Sequence, residues 1–284
     1  MNDATDMALN LACETTGSGP PLVVLHGLLG SSGNWRGIAR ALGETHTVHC
    51  VDLRNHGASP WADSMAYAEM ADDVLQLCDR LGLQRTAVMG HSMGGKTAMA
   101  LALRRPQLIS RLIVVDIAPV SYADSLTPFA EAMRSADVIT AASRAEVQRR
   151  LQQQVPDHEQ IVPFLMQNLV TLNDHFDWRL NLLGISAAMP GLCAFPSDLL
   201  GMRFGGPTTV IAGAQSDYVG NCDAASFAPM FDGVEIDVVE DAGHWVHADQ
   251  PAAFLARVGH TLQRNAPARR PDTLHNSTKT GDRP

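Results

Sequence analysis

Short apolar runs alternate with longer amphipathic segments along most of the chain. Six runs rich in Val, Leu and Ile predict β-strands, because a strand covered on both faces shows little polar alternation. They span residues 22–27, 47–52, 86–92, 112–116, 208–213 and 234–240. Segment 67–82 predicts a helix that Gly82 ends, with four apolar residues on one face: Met70, Val74, Leu77 and Leu81. This alternation predicts an α/β fold with a mostly parallel central sheet flanked by helices.

The alternation stops between residues 119 and 206. Segments 135–155 and 163–170 there have helical patterns, and no predicted strand separates them. A helical insertion between two strands of a sheet acts as a cap or lid over the sheet edge. The pattern therefore predicts a helical cap, inserted after the strand that ends near Asp116.

These features divide the chain into four predicted parts. Residues 1–118 and 207–264 form the two parts of the α/β core, and residues 119–206 form the cap. Residues 265–284 are polar, contain prolines and have few apolar side chains. Such a composition cannot bury a core, so we expect a disordered tail.

Composition narrows the choice of partners. The formal net charge is −9, and an acidic surface disfavours nucleic acids and anionic membranes, which are polyanions. No apolar run approaches the roughly 18–20 residues that a membrane-spanning helix needs. We therefore expect a small-molecule substrate, no nucleic-acid partner and no membrane span. The sequence does not indicate an oligomeric state.

The cysteines point to a reducing compartment. They number five and are widely scattered, with no C-x-x-C pair: Cys13, Cys50, Cys78, Cys193 and Cys222. The first residues also lack the basic and apolar regions of a secretory signal. We therefore expect reduced, mostly buried thiols and a cytoplasmic protein.

The stretch GHSMGGKT, residues 90–97, satisfies two incompatible motifs. As G-x-S-x-G it is a nucleophile elbow with Ser92 at its tip. As G-x-x-x-x-G-K-T it is a phosphate-binding loop that ends in Lys96 and Thr97, with Asp116 as the metal-holding acid of a later strand. The second interpretation is weaker, because three predicted strands precede the motif and Ser92 and Met93 replace glycines that would help backbone amides surround a phosphate.

Other motifs fit the hydrolase interpretation. Acyl transfer needs a base and oxyanion donors beside the activated hydroxyl, and in this fold the chain order is Ser, then Asp or Glu, then His. His244 follows the last predicted strand, where it can reach Ser92. The loop after the first apolar strand offers the Leu28 amide as one oxyanion donor, and Met93, next to the serine, offers the other. We expect His91 to point away from the nucleophile and His247 to be structural.

Two carboxylates compete for the acid. Asp116 ends the strand after the nucleophile helix, and Asp217 lies in the loop after the next-to-last strand. Many proteins of this fold carry the acid in that second loop as G-x-x-D, but counting from Gly213 the place holds Ser216, and Asp217 is one residue late. The spacing favours Asp116, with Ser216 as a hydrogen-bond donor to it, and keeps Asp217 as the alternative.

Four motifs together resemble one subgroup of α/β hydrolases, the YbfF-type bacterial esterases and their mitochondrial relatives. They are VDLRNHGASP (51–60), MGHSMGGKTAM (89–99), VDIAPV (115–120) and GHWVHA (243–248). The resemblance implies hydrolysis of short-chain carboxylic esters or thioesters without a cofactor or a metal. It also implies the triad Ser92, Asp116 and His244, with Leu28 and Met93 as oxyanion donors.

The resemblance bears on three further points. It makes Lys96 and Thr97 helix residues rather than phosphate ligands. We interpret Arg54 and His56 of the RNHG segment as residues that fix a loop. Because fold and triad do not determine the reaction, lactone opening, perhydrolysis, C–C hydrolysis and non-catalytic binding stay as alternatives.

The sequence predicts the residues of the substrate pocket less directly than it predicts the triad. Candidate substrate-binding residues are His26, Leu29, Trp178 and Trp245. Large apolar residues of the cap could line an acyl pocket, although packing against the sheet is their more common role. These cap residues are Phe129, Met133, Phe164, Leu165, Met166, Leu169 and Trp178.

Overall fold

Nine strands and ten α-helices occupy residues 8–220 and 224–264, the part of the chain that this computed structural model describes. The strands are β1 Cys13–Thr16, β2 Pro21–Leu25, β3 Thr47–Val51, β4 Thr86–His91, β5 Ile109–Val115, β6 Leu169–Leu172, β7 His175–Trp178, β8 Thr208–Gly213 and β9 Glu235–Val239. The helices are α1 Arg36–Leu42, α2 Tyr67–Arg80, α3 Met93–Arg104, α4 Thr127–Ser135, α5 Arg144–Gln154, α6 Val162–Leu165, α7 Leu182–Cys193, α8 Ala224–Phe227, α9 Val246–Asp249 and α10 Pro251–Gln263. Short 3₁₀ turns lie at Ser32–Trp35, Val138–Thr140, Pro156–Ile161, Met166–Asn168 and Ser197–Leu199.

Seven of these strands form the central sheet, in the order β1-β3-β2-β4-β5-β8-β9. Every neighbouring pair is parallel except β1 with β3, which is antiparallel. The six predicted strands correspond to β2, β3, β4, β5, β8 and β9, so the prediction of a mostly parallel α/β sheet is confirmed. Strand β1 was not predicted, because its sequence CETT is short and largely exposed at the sheet edge.

Helices cover both faces of the sheet. Helices α2 and α3 pack on one face, where Val74, Leu77 and Met99 are buried. Helices α1 and α10 cover the other face, where Ile38 and Phe254 are buried against the sheet. Burial on both faces explains why β4 and β8 consist of apolar or small residues along most of their lengths.

Helix α2 follows the predicted pattern except at its C-terminal end. Met70, Val74 and Leu77 are buried, whereas Leu81 lies one residue beyond the helix and is 36% exposed. Gly82 has φ +69°, the left-handed conformation expected of a residue that ends a helix. Its amide donates to the Asp79 carbonyl, so Gly82 ends the helix as predicted.

Helices α4 to α7 and a separate two-stranded sheet lie between β5 and β8. The expectation that no strand occurs in this insertion is wrong, because β6 and β7 form an antiparallel hairpin. Asn173 and Asp174 make its two-residue loop, and Asn173 has φ +52°. The predicted helical segment 163–170 contains the end of α6, at Leu165, and the start of β6, at Leu169. The cap boundaries of 119 and 206 stay a prediction.

Two further predictions meet the described residues only in part. Cys13, Cys50, Cys78 and Cys193 are free thiols, and two of them are buried, whereas Cys222 lies outside the described residues. The predicted tail, residues 265–284, also lies outside them. Across residues 8–220 and 224–264, we find no helix with both the length and the apolar character needed to cross a membrane.

Candidate active site

The chain reverses sharply at Ser92, between the end of β4 and the start of α3. Ser92 has φ +51° and ψ −115°, a conformation that costs a non-glycine residue about 1–3 kcal/mol. Two glycines make this turn possible. A Cβ atom on Gly90 would lie 2.1 Å from the Gly94 carbonyl oxygen, and one on Gly94 would lie 2.5 Å from the Leu25 carbonyl oxygen. These distances show that the strand and the helix approach each other too closely for a side chain at either position.

Asp116 follows β5 and accepts three hydrogen bonds on a fully buried carboxylate. His244 Nδ1 donates to Oδ2 over 2.7 Å, the Gly213 amide donates to Oδ1 over 3.0 Å, and the Ser216 hydroxyl also donates to Oδ2. Because His244 Nδ1 holds its proton against a carboxylate, Nε2 is left as the acceptor. Asp217 is exposed to solvent. The geometry therefore pairs His244 with Asp116 and not with Asp217.

Two neighbours hold the His244 loop. The Tyr218 ring stacks on the imidazole with centroids 4.0 Å apart, and His91 Nε2 donates to the His244 carbonyl over 2.9 Å. Burial holds the pKa of His91 well below its ordinary value, so that ring is neutral. Within the described residues no hydrogen bond joins Ser92 to His244, a contact that in many hydrolases tightens only when substrate binds.

The two predicted oxyanion donors belong to residues that line the same small cavity as Ser92. Met93 is the first residue of α3, so its amide has no partner within the helix. The Leu28 amide takes part in none of the backbone hydrogen bonds found among the described loops and turns. The loop that carries Leu28 is held at Leu29, which has φ +59°. The Leu29 amide donates to His56 Nε2 over 3.2 Å, and the Asn168 side chain donates to the Leu29 carbonyl over 2.8 Å.

The RNHG segment, residues 54–57, contacts the loop that carries Leu28 and Leu29. Arg54 is buried and forms ion pairs with Glu69 and with Asp73, 2.7 Å away. His56 is fully buried, and burial lowers its pKa to about 3. A neutral His56 with Nδ1 donating to the Arg54 carbonyl can accept the Leu29 amide at Nε2. These contacts support the interpretation that Arg54 and His56 fix a loop.

A small cavity of about 40 Å³ lies beside Ser92. Its wall combines the nucleophile elbow with residues of the cap, and it includes one buried cation, Lys96. Lys96 Nζ donates to the Cys193 and Ala194 carbonyls, both over 2.9 Å. The lining residues are Leu28, Tyr67, Ser92, Met93, Lys96, Ile117, Tyr122, Ala123, Ser125, Leu126, Met189, Leu192, Cys193 and Tyr218.

A larger cleft of about 590 Å³ opens between the cap and the core on the other side of the His244 loop. Phe129, Phe164 and Trp245 line it, and the centroid of the Trp245 ring lies 5.6 Å from that of His244. The remaining lining residues are Gly33, Asn34, His158, Gln160, Ile161, Pro163, Gln167, His247, Ala248 and Asp249.

The four candidate substrate-binding residues divide between scaffold and cleft. His26 is buried and accepts the Leu53 amide at Nε2 over 3.0 Å, and Leu29 is buried in the oxyanion loop. Trp178 donates from Nε1 to the Met133 carbonyl inside the cap. Trp245 lines the larger cleft. Among the predicted cap residues, all but Phe164 are buried in the main hydrophobic core: Phe129, Met133, Leu165, Met166, Leu169 and Trp178.

Comparison with known proteins adds an independent observation. A model of the α/β-hydrolase fold matches residues 20–154. The chain is 36% identical over 246 residues to the sn-1-specific diacylglycerol lipase ABHD11 of Mus musculus, a match that covers 84% of this chain and 80% of the relative. It is 31% identical to esterase YbfF of Escherichia coli strain K12, over 89% of this chain and 98% of that one. The chain belongs to the α/β-hydrolase family.

A solved structure agrees with this assignment. The structure of a marine microorganism esterase superposes on this α/β hydrolase with a TM-score of 0.85 at 32% identity, over 89% of this chain and 99% of that one. The predictions of the fold, of the family and of a hydrolytic enzyme that acts on esters are confirmed by these relatives.

The phosphate-loop interpretation does not fit this α/β hydrolase. Lys96 Nζ donates to two backbone carbonyls of the cap, those of Cys193 and Ala194. Thr97 is fully buried within α3, and its hydroxyl donates to the Met93 carbonyl over 3.0 Å. Asp116 is engaged by His244 and two other donors. Lys96 and Thr97 are helix residues, as the family resemblance implies.

Sequence reasoning missed the residues that give the small cavity its polar character. Lys96 was considered as a phosphate ligand or as a helix residue but not as part of the cavity wall, and Tyr122 and Tyr218 were not singled out. One signal was available for Lys96, since it follows Ser92 by four residues in a predicted helix and so shares its face. The tyrosines lie in loops separated by 96 residues, and no local pattern predicts their meeting.

Proposed function

We propose that this α/β hydrolase cleaves short-chain carboxylic esters through a Ser92–His244–Asp116 triad and an acyl-enzyme intermediate. The observation that carries the proposal is the 2.7 Å hydrogen bond from His244 Nδ1 to Asp116, beside a cavity that Ser92 lines. The names of the relatives, an esterase and a lipase, support the same class of reaction. Short-chain thioesters belong to the proposed class as well, because their carbonyl carbon is attacked in the same way.

The chemistry follows from these positions. His244 Nε2 takes the Ser92 proton as the hydroxyl oxygen attacks the ester carbonyl, and the Leu28 and Met93 amides bind the oxyanion. His244 then gives the proton to the leaving alcohol, and the C–O bond breaks. A water molecule repeats the sequence on the acyl-enzyme and releases the acid. Asp116 holds the imidazole proton on Nδ1 and stabilises the charged ring.

The size of the cavity favours a small acyl group. About 40 Å³ accommodates only a few water-sized groups, far less than the volume of a drug-sized ligand site. The cleft of about 590 Å³ supports a second candidate, hydrolysis of a glycerolipid such as the one named for the mouse relative. In that case a long chain would lie against Phe129, Phe164 and Trp245.

Two serines of the cavity provide the test. Ser92→Ala should lower kcat on p-nitrophenyl acetate by at least about 10⁴-fold, because the nucleophile is lost. Ser125→Ala is the matched control: Ser125 lines the same cavity but is exposed, and its hydroxyl shares a hydrogen bond with the Tyr218 hydroxyl. A fluorophosphonate probe should label the wild type and the control but not Ser92→Ala. Normal turnover by Ser92→Ala would disprove the proposal.

The same assay separates the two substrate classes. If the small cavity holds the acyl group, kcat/KM should fall steadily from p-nitrophenyl acetate and butyrate to the decanoate. A maximum at ten carbons or more, together with hydrolysis of dioleoylglycerol, would favour the glycerolipid candidate instead.

A further inference from the structure

Lys96 is a buried cation in the wall of the cavity that Ser92 lines. It is 2% exposed, yet it carries an ammonium group and lies one helical turn after Ser92 on the same face of α3. Burial lowers its pKa to about 8, so the group is still mostly charged at neutral pH. A cation that the chain buries beside the nucleophile requires an explanation.

The partners found for Lys96 are neutral. Two of its three N–H groups donate to the Cys193 and Ala194 carbonyls, and the Tyr122 and Tyr67 ring centroids lie 5.1 and 5.9 Å from Nζ. Among the residues that the structure describes, no carboxylate forms an ion pair with Lys96. Burying a charge without a counter-charge is costly, so the site favours an anion that arrives from outside.

Other polar groups of the cavity wall already have partners. The Tyr67 hydroxyl donates to the Leu192 carbonyl over 2.8 Å, and the Tyr122 hydroxyl donates to the Tyr218 carbonyl over 2.7 Å. Ser125 shares a hydrogen bond with the Tyr218 hydroxyl. The third N–H of Lys96 and the Ser92 hydroxyl are therefore the polar groups best placed to meet a ligand in this cavity.

We propose that Lys96 makes the cavity selective for acyl groups that end in a carboxylate, so that the preferred substrates are half-esters or half-thioesters of short dicarboxylic acids. The reacting carbonyl would lie at Ser92, and the far carboxylate would pair with Lys96 about one helical turn away. The small volume of the cavity, about 40 Å³, favours a short spacer between the reacting carbonyl and the carboxylate. This inference rests on the proposed function, since it names the substrate class of that same site.

A purely structural role for Lys96 predicts something different. The Cys193 carbonyl lies at the C-terminal end of α7, where a cation stabilises the helix and ties the cap to the core. Loss of such a tie would lower activity on every ester alike. Loss of carboxylate recognition would instead change the ratio between charged and neutral substrates, and that ratio distinguishes the two roles.

The experiment compares monoethyl succinate with ethyl succinamate, its uncharged amide isostere, in the full chain. Ethanol release measured at pH 7 gives kcat/KM for each ester. The wild type should prefer the carboxylate by about tenfold to a hundredfold, the range of a charge-assisted hydrogen bond. Lys96→Met should reduce the preference to about one or below. Cys193→Ala, which alters the same wall without removing a charge, should keep it.

Each result either supports or contradicts the proposed carboxylate recognition by Lys96. A wild type that hydrolyses both esters equally would overturn this inference and leave the proposed function intact. A preference that survives in Lys96→Met would also overturn it, because another group would then be recognising the carboxylate. A wild type inactive on all esters would remove the proposed function and the inference together. If Lys96→Met does not fold, competition in the wild type decides: succinamate, which carries one carboxylate, should inhibit p-nitrophenyl butyrate hydrolysis at least tenfold more strongly than the uncharged diamide succinamide, and equal inhibition would refute the inference.

Discussion

Replacing Asp116 with Asn tests the assignment of the triad acid and its proposed role. Its carboxylate accepts the Gly213 amide on one oxygen and both His244 Nδ1 and the Ser216 hydroxyl on the other. An Asn side chain has one acceptor oxygen and one NH₂ group. The NH₂ group must replace one carboxylate oxygen and then faces the groups that donated to that oxygen. The backbone amide of Gly213 cannot reverse its role, whereas Ser216 can rotate its hydroxyl and His244 can change tautomer. The NH₂ group should therefore face His244.

That orientation moves the imidazole proton to Nε2, where it can no longer accept the Ser92 proton. The analogous exchange in a serine protease triad lowers kcat by about 10⁴-fold, which is about 5.4 kcal/mol in activation free energy. Asp116→Asn should show a loss of this size in the release of p-nitrophenolate from p-nitrophenyl acetate. A thermal melt should show that the variant is folded.

The matched control is Asp217→Asn, which changes the same chemical group at an exposed position one residue after Ser216. Its kcat should stay within about threefold of the wild type. The reverse pattern, with collapse in Asp217→Asn and near-normal turnover in Asp116→Asn, would refute the reasoning and move the acid to the later loop.

Two further predictions concern stability. Burial lowers the pKa of His56 and of His247 to about 3, so the unfolded chain binds protons first as the pH falls below the ordinary histidine value of about 6.5. Between pH 7 and pH 5, each of these histidines should lower the free energy of unfolding in urea by about 2 kcal/mol. His247→Phe, which keeps a ring against Trp35, should reduce the total loss by about 2 kcal/mol, the contribution of His247. An unchanged loss would contradict this account. Gly94→Ala should destabilise the fold by about 3 kcal/mol, because its Cβ would lie 2.5 Å from backbone oxygens, whereas Gly37→Ala, with nothing within 4 Å of the new Cβ, should be neutral or slightly stabilising in the same measurement.

The sequence contains enough information for the sheet and for the elbow because their signals are local. A buried parallel strand shows as an unbroken apolar run, and the G-x-S-x-G turn needs its glycines at fixed positions around Ser92. The hairpin of β6 and β7 also had a local signal, an Asn-Asp pair between two short runs rich in β-branched and aromatic residues. That signal was overlooked because the preceding segment has a helical pattern.

Other parts of the site depend on contacts that no local pattern contains. Whether Asp116 or Asp217 meets His244 is decided by the direction of a loop, and φ +50° at Asp116 belongs to that loop. The place of Lys96 in the cavity is decided by the end of α7, 97 residues later in the chain. A helical pattern predicts which face Lys96 shares with Ser92, but not what covers that face.

The core and the cap contribute different parts of this site. Ser92, His244 and Asp116 all stand on loops at the carboxyl ends of core strands, where a rigid parallel sheet fixes their spacing. The cap contributes contacts that decide what those residues meet: Asn168 holds the oxyanion loop at Leu29, and the end of α7 holds Lys96. A cap displaced from the core would therefore release both the loop that carries Leu28, a proposed oxyanion donor, and the proposed carboxylate-binding cation. In this proposal, substrate selection and the geometry of the reacting groups depend on the same contact between cap and core.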